Sequence, residues 1–100
     1  MFVVAGAYIV KTAMRDAFVK AIYDQDIISG FRKEKGNISY DYYYPYEDLN
    51  SVFFVERWEN PDAWEAHKTS PNTIKLQAVK AEFTTGFTPG FLGELKENTN

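Results

Sequence analysis

Apolar residues recur along the chain first at strand spacing and then at helix spacing. Residues 2–10 (FVVAGAYIV) are apolar on both alternating faces, which is typical of a strand that is covered on both sides. An apolar stripe with the helical period follows from Met14 to Ile22, and Thr12 is a suitable cap for the helix that this stripe predicts. We expect this helix to end near Gly30.

Two further strands follow, joined by a polar connection. Residues 38–44 (ISYDYYY) and 51–58 (SVFFVERW) are rich in the β-branched and aromatic residues of strands, and the proline and polar residues between them predict a hairpin. Tyr40, Tyr42 and Tyr44 alternate onto one face of the first of these strands. Such a face suits either a wet subunit interface or a flat, oxygen-bearing ligand, and both interpretations stay open.

Two helices and an apolar tail complete the pattern. Asn60 and Ser70 each stand directly before a proline, which combines a capping residue with proline at the first helical position, so they predict helices over 61–69 and 71–83. The remaining residues, 84–100, form an extension in which the segment FLGELKE is a candidate edge strand or an arm that reaches a second subunit.

Aromatic residues are abundant for a chain of 100 residues, which we expect to form one domain over residues 1–100. Apolar residues make up 45% of the chain and aromatic residues 17%. A core this small needs less aromatic surface than that. The excess predicts a cavity, a partner or both, and it favours an obligate homodimer.

Charge and cysteine content exclude several classes of function. The absence of cysteine excludes disulfides, thiolate catalysis and cysteine-ligated metals. The net charge is −3 and the basic residues are spread along the chain, which argues against a nucleic-acid partner. No signal peptide or long apolar segment is visible, so we expect a cytoplasmic protein with no membrane partner.

One cluster of basic residues interrupts this even distribution. Arg32, Lys33 and Lys35 surround Glu34 shortly after Gly30. A solvated turn is the ordinary role of such a charged block, and a site for an anionic substrate is the alternative.

The stretch VERWENPDAWEAHKTSP contains the only histidine of the chain, His67, close to two tryptophans and a glutamate. Strand alternation places Glu56 and Trp58 on one inward face, and helical spacing places Trp64 and His67 on one side of the next helix. The connection between the two elements is short, so the helix folds back over its own strand and brings His67 towards Glu56. The four side chains are therefore predicted to line one pocket.

A glutamate beside a histidine has a chemical use. A carboxylate that accepts a hydrogen bond from one ring nitrogen sets the tautomer and raises the basicity of the other nitrogen, which then accepts a proton. His67 and Glu56 are therefore candidate catalytic residues, and we expect Glu56→Gln to lower both stability and rate. The alternative is a structural pair that only satisfies a buried carboxylate, with no cavity beside it.

The motifs of common cofactors and nucleophiles are absent from the sequence. No GxGxxG motif follows a strand, and there is neither a Walker A motif nor a GxSxG serine. A single histidine does not supply the iron site made of two histidines and one carboxylate. An enzyme with this sequence is expected to work by acid–base chemistry, with no metal, flavin or other cofactor.

The segments GNISYDYYY and FFVERWENPDAWEAHKTSP resemble the antibiotic biosynthesis monooxygenase family, and the resemblance runs from residue 1 to about residue 84. The family pattern is a glycine after the first helical segment, an aromatic strand, Glu-x-Trp, a short turn, an alanine, and a histidine followed by a small polar residue. The matching positions are Gly36, Tyr40, Glu56, Trp58, Ala63, His67 and Ser70.

The resemblance implies a ferredoxin-like α+β fold with a four-stranded antiparallel sheet, in which two subunits pair to form a dimeric α+β barrel. It also implies a monooxygenase that oxidises a small quinol or polyphenol with molecular oxygen and without a cofactor, because the deprotonated substrate itself reduces oxygen. His67 would handle the proton and Glu56 would orient His67. The substrate ring would be contacted by Trp58, Trp64 and Tyr8.

Other branches of the family imply other reactions. The segment AHKTSP is similar to a branch that isomerises a phosphorylated, sugar-derived signal molecule. In that branch His67 and Lys68 would act on an anionic substrate, and Arg32 or Lys33 would hold its phosphate. A haem-degrading branch needs an asparagine on the first strand and a later helical histidine. Residues 2–10 contain no asparagine and no histidine follows His67, which disfavours that branch. A non-catalytic dimer that binds small aromatic molecules is the third alternative.

Overall fold

The computed structural model describes residues 1–96, which form four strands and four helices. The first and third strands and the last helix have the bounds that the sequence pattern predicts. No helix within residues 1–96 is both long and apolar enough to cross a membrane. The strands are β1 (Phe2–Val10), β2 (Asn37–Tyr43), β3 (Ser51–Trp58) and β4 (Thr84–Glu94), and the helices are α1 (Arg15–Asp24), α2 (Ile27–Arg32), α3 (Pro61–His67) and α4 (Pro71–Phe83).

The four strands form one antiparallel sheet in the order β2-β3-β1-β4, in which β2 and β3 are the predicted hairpin. The register sets Val4 and Tyr40 on either side of Glu56, so these three side chains point to the same face of the sheet. The helices pack against this face and enclose the core with it. The arrangement is the ferredoxin-like α+β fold that the sequence predicts.

The first predicted helix is divided into two. α1 ends at Asp24, Asp26 takes the left-handed conformation with a φ of 55°, and α2 begins at Ile27. The prediction of one continuous helix is therefore wrong. The turn redirects the chain, and it allows Ile28 and Phe31 of α2 to be buried in the same core as the apolar side of α1.

The start of α1 is held from outside the helix. Met14, and not Thr12 as predicted, occupies the N-cap position, and its side chain makes no capping hydrogen bond. Ala13 takes the left-handed conformation with a φ of 63° and donates its backbone N–H to Asn50 Oδ1 (3.2 Å). A residue of the β2–β3 connection thus fixes the turn that precedes α1.

The predicted caps of α3 and α4 are confirmed. The side chain of Asn60 accepts a hydrogen bond from the backbone N–H of Ala63 (2.9 Å), and Ser70 accepts one from Thr73 (3.3 Å). Caps of this kind contribute about 1 kcal/mol each. α3 ends at His67, two residues earlier than predicted, and Thr73 Oγ1 donates to the His67 carbonyl oxygen (2.7 Å). The first turn of α4 therefore holds the end of α3, where the histidine lies.

Gly36 allows the start of β2 to approach α3 closely. Its φ of 83° lies in the left-handed region, and a Cβ at this position would come within 2.6 Å of the Ala63 Cβ. The carbonyl oxygen of Gly36 accepts a hydrogen bond from the backbone N–H of Glu59 (2.8 Å). This contact keeps the segment after α2, including Glu34, beside α3.

The face of the sheet opposite to the helices carries exposed apolar side chains. Ile9, Tyr43 and Phe53 lie on this face, and each is more than a third exposed in the single chain. The predicted edge strand is present as β4, which pairs with β1 and begins at Thr84, before the segment FLGELKE (residues 91–97). Residue 97 lies outside the described residues. A homodimer that covers the open face, with the tail as its arm, stays a prediction.

Candidate active site

A cavity of about 250 Å³ lies between the sheet and the last two helices. It contains charged, phenolic and apolar side chains, and it lies directly beside the Glu56–His67 pair. The structural alternative expects no cavity beside this pair, and the structure differs from it in that respect. The lining residues are Val4, Tyr8, Tyr40, Phe54, Glu56, Trp64, His67, Lys68, Thr73, Leu76, Gln77, Lys80 and Phe87.

The imidazole of His67 is held between two carboxyl groups. Nδ1 lies 2.7 Å from Glu34 Oε1, within hydrogen-bond distance, and Nε2 lies 3.5 Å from Glu56 Oε1. A carboxylate only accepts hydrogen bonds, so the contact with Glu34 assigns the proton of the neutral ring to Nδ1. The lone pair of Nε2 then faces Glu56 and the cavity. The ring is therefore oriented to accept a proton at Nε2.

Aromatic rings enclose the imidazole on its other sides. The ring centroids of Phe31, Trp58 and Tyr40 lie 4.5, 4.7 and 5.8 Å from that of His67, which is only 6% exposed. Burial lowers the pKa of His67 from 6.5, and the hydrogen bond and charge of Glu34 oppose this shift. The histidine is accordingly a neutral base at physiological pH.

Glu56 is a buried acid that exchanges its proton near neutral pH. Its pKa is raised to about 7, mainly by burial and to a smaller extent by the charge of Glu34. A hydrogen bond from Trp58 Nε1 to Glu56 Oε1 (3.1 Å) and the charge of Lys80 act in the opposite direction. Glu56 therefore stands beside Nε2 with a pKa that suits general acid–base catalysis.

The sequence pattern predicts that Glu56 fixes the tautomer of His67. In the structure this carboxylate is Glu34, so that prediction is wrong. Glu34 belongs to the charged block that is expected to be a solvated turn, but its side chain is only 19% exposed and its Oε2 atom is buried without a hydrogen-bond partner in the described residues. Helical spacing gives no indication of this, because Glu34 lies in the turn that follows α2.

The predicted substrate-contacting residues occupy three different places. Tyr8 and Trp64 line the cavity, and Tyr8 stacks on Phe54 with a centroid distance of 4.9 Å. Lys68 lies at the cavity rim, where its Nζ is 4.4 Å from the centroid of the Trp64 ring. Trp58 is fully buried behind the imidazole and is not part of the cavity lining, because its indole packs against His67 and bonds to Glu56.

Lys80 also lines the cavity, although no motif of the sequence marks it as a site residue. It follows Leu76 and precedes Phe83 on the inward stripe of α4, so a lysine stands where the helical period predicts an apolar residue. The two residues expected to bind a phosphate do not reach the cavity. Arg32 donates hydrogen bonds to the Tyr40 carbonyl oxygen (2.9 Å) and to Asp41 Oδ1 (3.2 Å). Lys33 is exposed and is not among the residues that line the cavity.

Three tyrosines of the sheet have hydroxyl groups that stay protonated. Burial raises the pKa of Tyr8, Tyr40 and Tyr42 well above its usual value, and the nearby Glu56 charge contributes to each shift. Tyr44, predicted to share their face, lies beyond the end of β2 and donates its hydroxyl to Asp16 (3.2 Å). The buried hydroxyls of this cluster are hydrogen-bond donors at neutral pH.

Proteins of known sequence and structure share this fold. The sequence profile of the antibiotic biosynthesis monooxygenase family matches residues 1–79. No curated protein sequence matches the chain. One similar solved structure is a candidate antibiotic biosynthesis monooxygenase from Nitrosomonas europaea, with 21% identity and a TM-score of 0.82 over 96% of this chain and 100% of that one.

Two other solved structures are similar to the same extent. Rv0793 from Mycobacterium tuberculosis has 26% identity and a TM-score of 0.79 over 98% of each chain. A protein described as an antibiotic biosynthesis monooxygenase has 18% identity and a TM-score of 0.79 over 96% of this chain and 100% of that one. At such identities the structural likeness establishes the fold.

Proposed function

This chain belongs to the antibiotic biosynthesis monooxygenase family, and on that premise we propose that it is an enzyme that oxidises a small quinol or polyphenol with molecular oxygen and without a prosthetic group. The observation that supports this function is the acid–base pair beside an aromatic cavity. His67 presents an unprotonated Nε2 to the cavity, and Glu56 lies 3.5 Å from that atom.

The first step is removal of the phenolic proton. Nε2 of His67 accepts it, and Glu34 stabilises the resulting imidazolium through the hydrogen bond at Nδ1 (2.7 Å). Glu34 is a positioning residue in this scheme, while His67 is catalytic. Glu56 receives the proton from Nε2 or returns it later, because its pKa of about 7 makes both protonation states accessible.

The second step is reaction of the phenolate with oxygen. The anion donates electrons to O2, a ring carbon forms a bond to one oxygen atom, and the ring C–H becomes a quinone carbonyl. The second oxygen atom leaves as water with the two hydrogens that the phenol has lost. The apolar wall formed by Tyr8, Phe54 and Phe87 excludes water from the anion and holds its ring flat.

An isomerase of a small phosphorylated carbonyl compound is the second candidate. The observation that favours it is the presence of two lysines, Lys68 and Lys80, in the lining of the cavity that contains His67. These lysines would hold the phosphate, in place of the arginine and lysine expected from the sequence. His67 would then move a proton between neighbouring carbons through an enolate, and no oxygen would be consumed.

Oxygen consumption by the purified protein tests the first function. A panel of hydroquinones and dihydroxynaphthalenes is supplied, and we expect one O2 to disappear per quinone formed, without accumulation of hydrogen peroxide. His67→Ala should lower the rate at least about tenfold, since one positioned acid–base group contributes about 10²–10⁴. Lys75→Met, on the exposed side of α4, is the matched control and should keep the wild-type rate.

Two results would contradict the proposed oxygenase mechanism. Oxygen uptake that is the same in wild type and His67→Ala would exclude the histidine as the base. If no member of the panel is oxidised, phosphorylated carbonyl compounds are tested next by deuterium incorporation from heavy water. Incorporation that depends on His67 would establish the isomerase, and its absence would leave a protein that only binds small aromatic molecules.

A further inference from the structure

Lys80 is a cationic side chain in the cavity wall that forms no close ion pair within residues 1–96, and the charge of Glu56 acts on it from beyond ion-pair distance. It shares one side of α4 with Thr73, Leu76 and Gln77, which also line the cavity, and its Nζ lies 5.1 Å from the centroid of the Tyr8 ring. Within residues 1–96, neither an ion pair nor a hydrogen bond engages this ammonium group. Burial of this ammonium group has a desolvation cost that lowers its pKa, and an anionic ligand beside it would offset that cost.

The other lysine of the cavity is already engaged. Lys68 Nζ lies 3.1 Å from Glu65 Oε2 and 4.4 Å from the centroid of the Trp64 ring, and its side chain is nearly half exposed. Pairing and solvent both screen its charge. Lys80 is therefore the cation whose field acts most directly on a molecule inside the cavity.

The chemistry at His67 creates a need for such a cation. A substrate that loses its proton becomes an anion in a cavity that already has two carboxyl groups, Glu34 and Glu56, on either side of the imidazole. Each carboxyl group repels that anion when it is ionised, and because both side chains are largely buried the repulsion is screened less than at the surface. A positive charge on the α4 side of the cavity offsets it, and a fixed charge acts more strongly in such a site than at the surface.

We propose that Lys80 binds the oxygen atom on which the negative charge of the substrate develops, so that the substrates of this site are compounds that react as their oxyanions. This inference rests on the proposed function and deepens it. It holds for a phenolate that reacts with oxygen and for an enolate in an isomerisation. In both, the proton leaves for Nε2 of His67 and the electron pair that it leaves behind is shared with the substrate oxygen.

The ionisation of bound 4-nitrophenol tests the role of Lys80 without any turnover. The phenol and phenolate forms of this probe absorb at different wavelengths, so its pKa in the presence of excess protein is read directly from a pH titration. We expect wild type to lower that pKa. Lys80→Met should decrease the ratio of bound phenolate to bound phenol at least about tenfold, because a charge a few ångströms away in a partly desolvated site has an effect of that order or larger. Lys80→Arg should restore the ratio.

Two variants serve as controls. Lys75→Met removes an exposed charge from the same helix outside the cavity, and it should leave the pKa of the probe at the wild-type value. Lys68→Met should change the ratio less than Lys80→Met does, because its charge is paired and exposed.

Several results would overturn the inference. These are an equal probe pKa in wild type and Lys80→Met, a larger effect at Lys68, or no binding of the probe by wild type at millimolar protein. The test is separate from that of the proposed function. Oxygen uptake that depends on His67, together with a probe pKa that is independent of Lys80, would leave the oxygenase in place and remove only the oxyanion site.

Discussion

Replacing Glu56 by glutamine tests the electrostatics of the buried site through protein stability. Glu56 is 5% exposed, and burial is the main cause of its raised pKa of about 7. Glutamine has the shape of a protonated glutamate, and its Oε1 atom offers the same acceptor to Trp58 Nε1, which donates to the glutamate at 3.1 Å. The substitution therefore removes the ionisation of this side chain and little else.

The magnitude follows from the difference between the folded and unfolded pKa values of Glu56. A carboxyl group whose pKa is raised on folding contributes stability that is fully present below pH 4.5 and is lost as the pH rises through about 7. At about 1.4 kcal/mol per pH unit over that interval, the loss is about 3–4 kcal/mol. The glutamine variant does not undergo this loss, so we expect it to be more stable than wild type by about that amount at about pH 8.

This result reverses the expectation from the sequence, where Glu56→Gln lowers stability because Glu56 orients the histidine. In the structure Glu34 has that role, since it is the carboxylate at 2.7 Å from Nδ1. Glu56 therefore does not need its charge to hold the ring. Ionisation of this buried side chain lowers the stability of the folded protein, and the acid–base chemistry of the site requires it.

The assay is urea unfolding at one fixed protein concentration, followed by tryptophan fluorescence from pH 4.5 to about pH 8. Glu47→Gln in the exposed β2–β3 connection is the matched control, because its carboxylate is in water in both states, and its profile should run parallel to that of wild type. A Glu56→Gln profile that also ran parallel to wild type would refute the reasoning. Glu56 would then be ionised at neutral pH and could not act as the acid of the site.

Three further predictions concern the histidine, the dimer and one turn. The pKa of His67, measured by NMR titration of the only imidazole, should lie below 6.5 in wild type and lower still in Glu34→Gln, because this variant loses the contact that raises the pKa. An equal pKa in both proteins would exclude an interaction between Glu34 and the ring. Phe53→Glu on the open sheet face should convert a dimer into a monomer in analytical ultracentrifugation, whereas a dimer that persists would place the interface elsewhere. Gly36→Ala should lower the free energy of unfolding by at least about 1 kcal/mol because of its left-handed φ, and a variant as stable as wild type would exclude strain at this turn.

Features that depend on residues close together along the chain could be predicted from the amino-acid sequence alone. The bounds of β3 and α4 follow from the alternating and helical spacing of apolar residues, and the starts of α3 and α4 follow from Asn60 and Ser70 before their prolines. The proximity of Glu56 and His67 was also predictable. A short connection between a strand and the next helix leaves the chain few ways to continue.

The groups that act on the imidazole and those that face the cavity are set by packing between distant parts of the chain. Glu34 is 33 positions before His67 and reaches it because the α1–α2 break and the close approach at Gly36 bring two distant segments together. Lys80 enters the cavity because α4 packs its inward stripe over the sheet. Local spacing assigns a side chain to a face of its own element, whereas its neighbours across the core, and hence its pKa and its chemistry, are set by how separate elements pack.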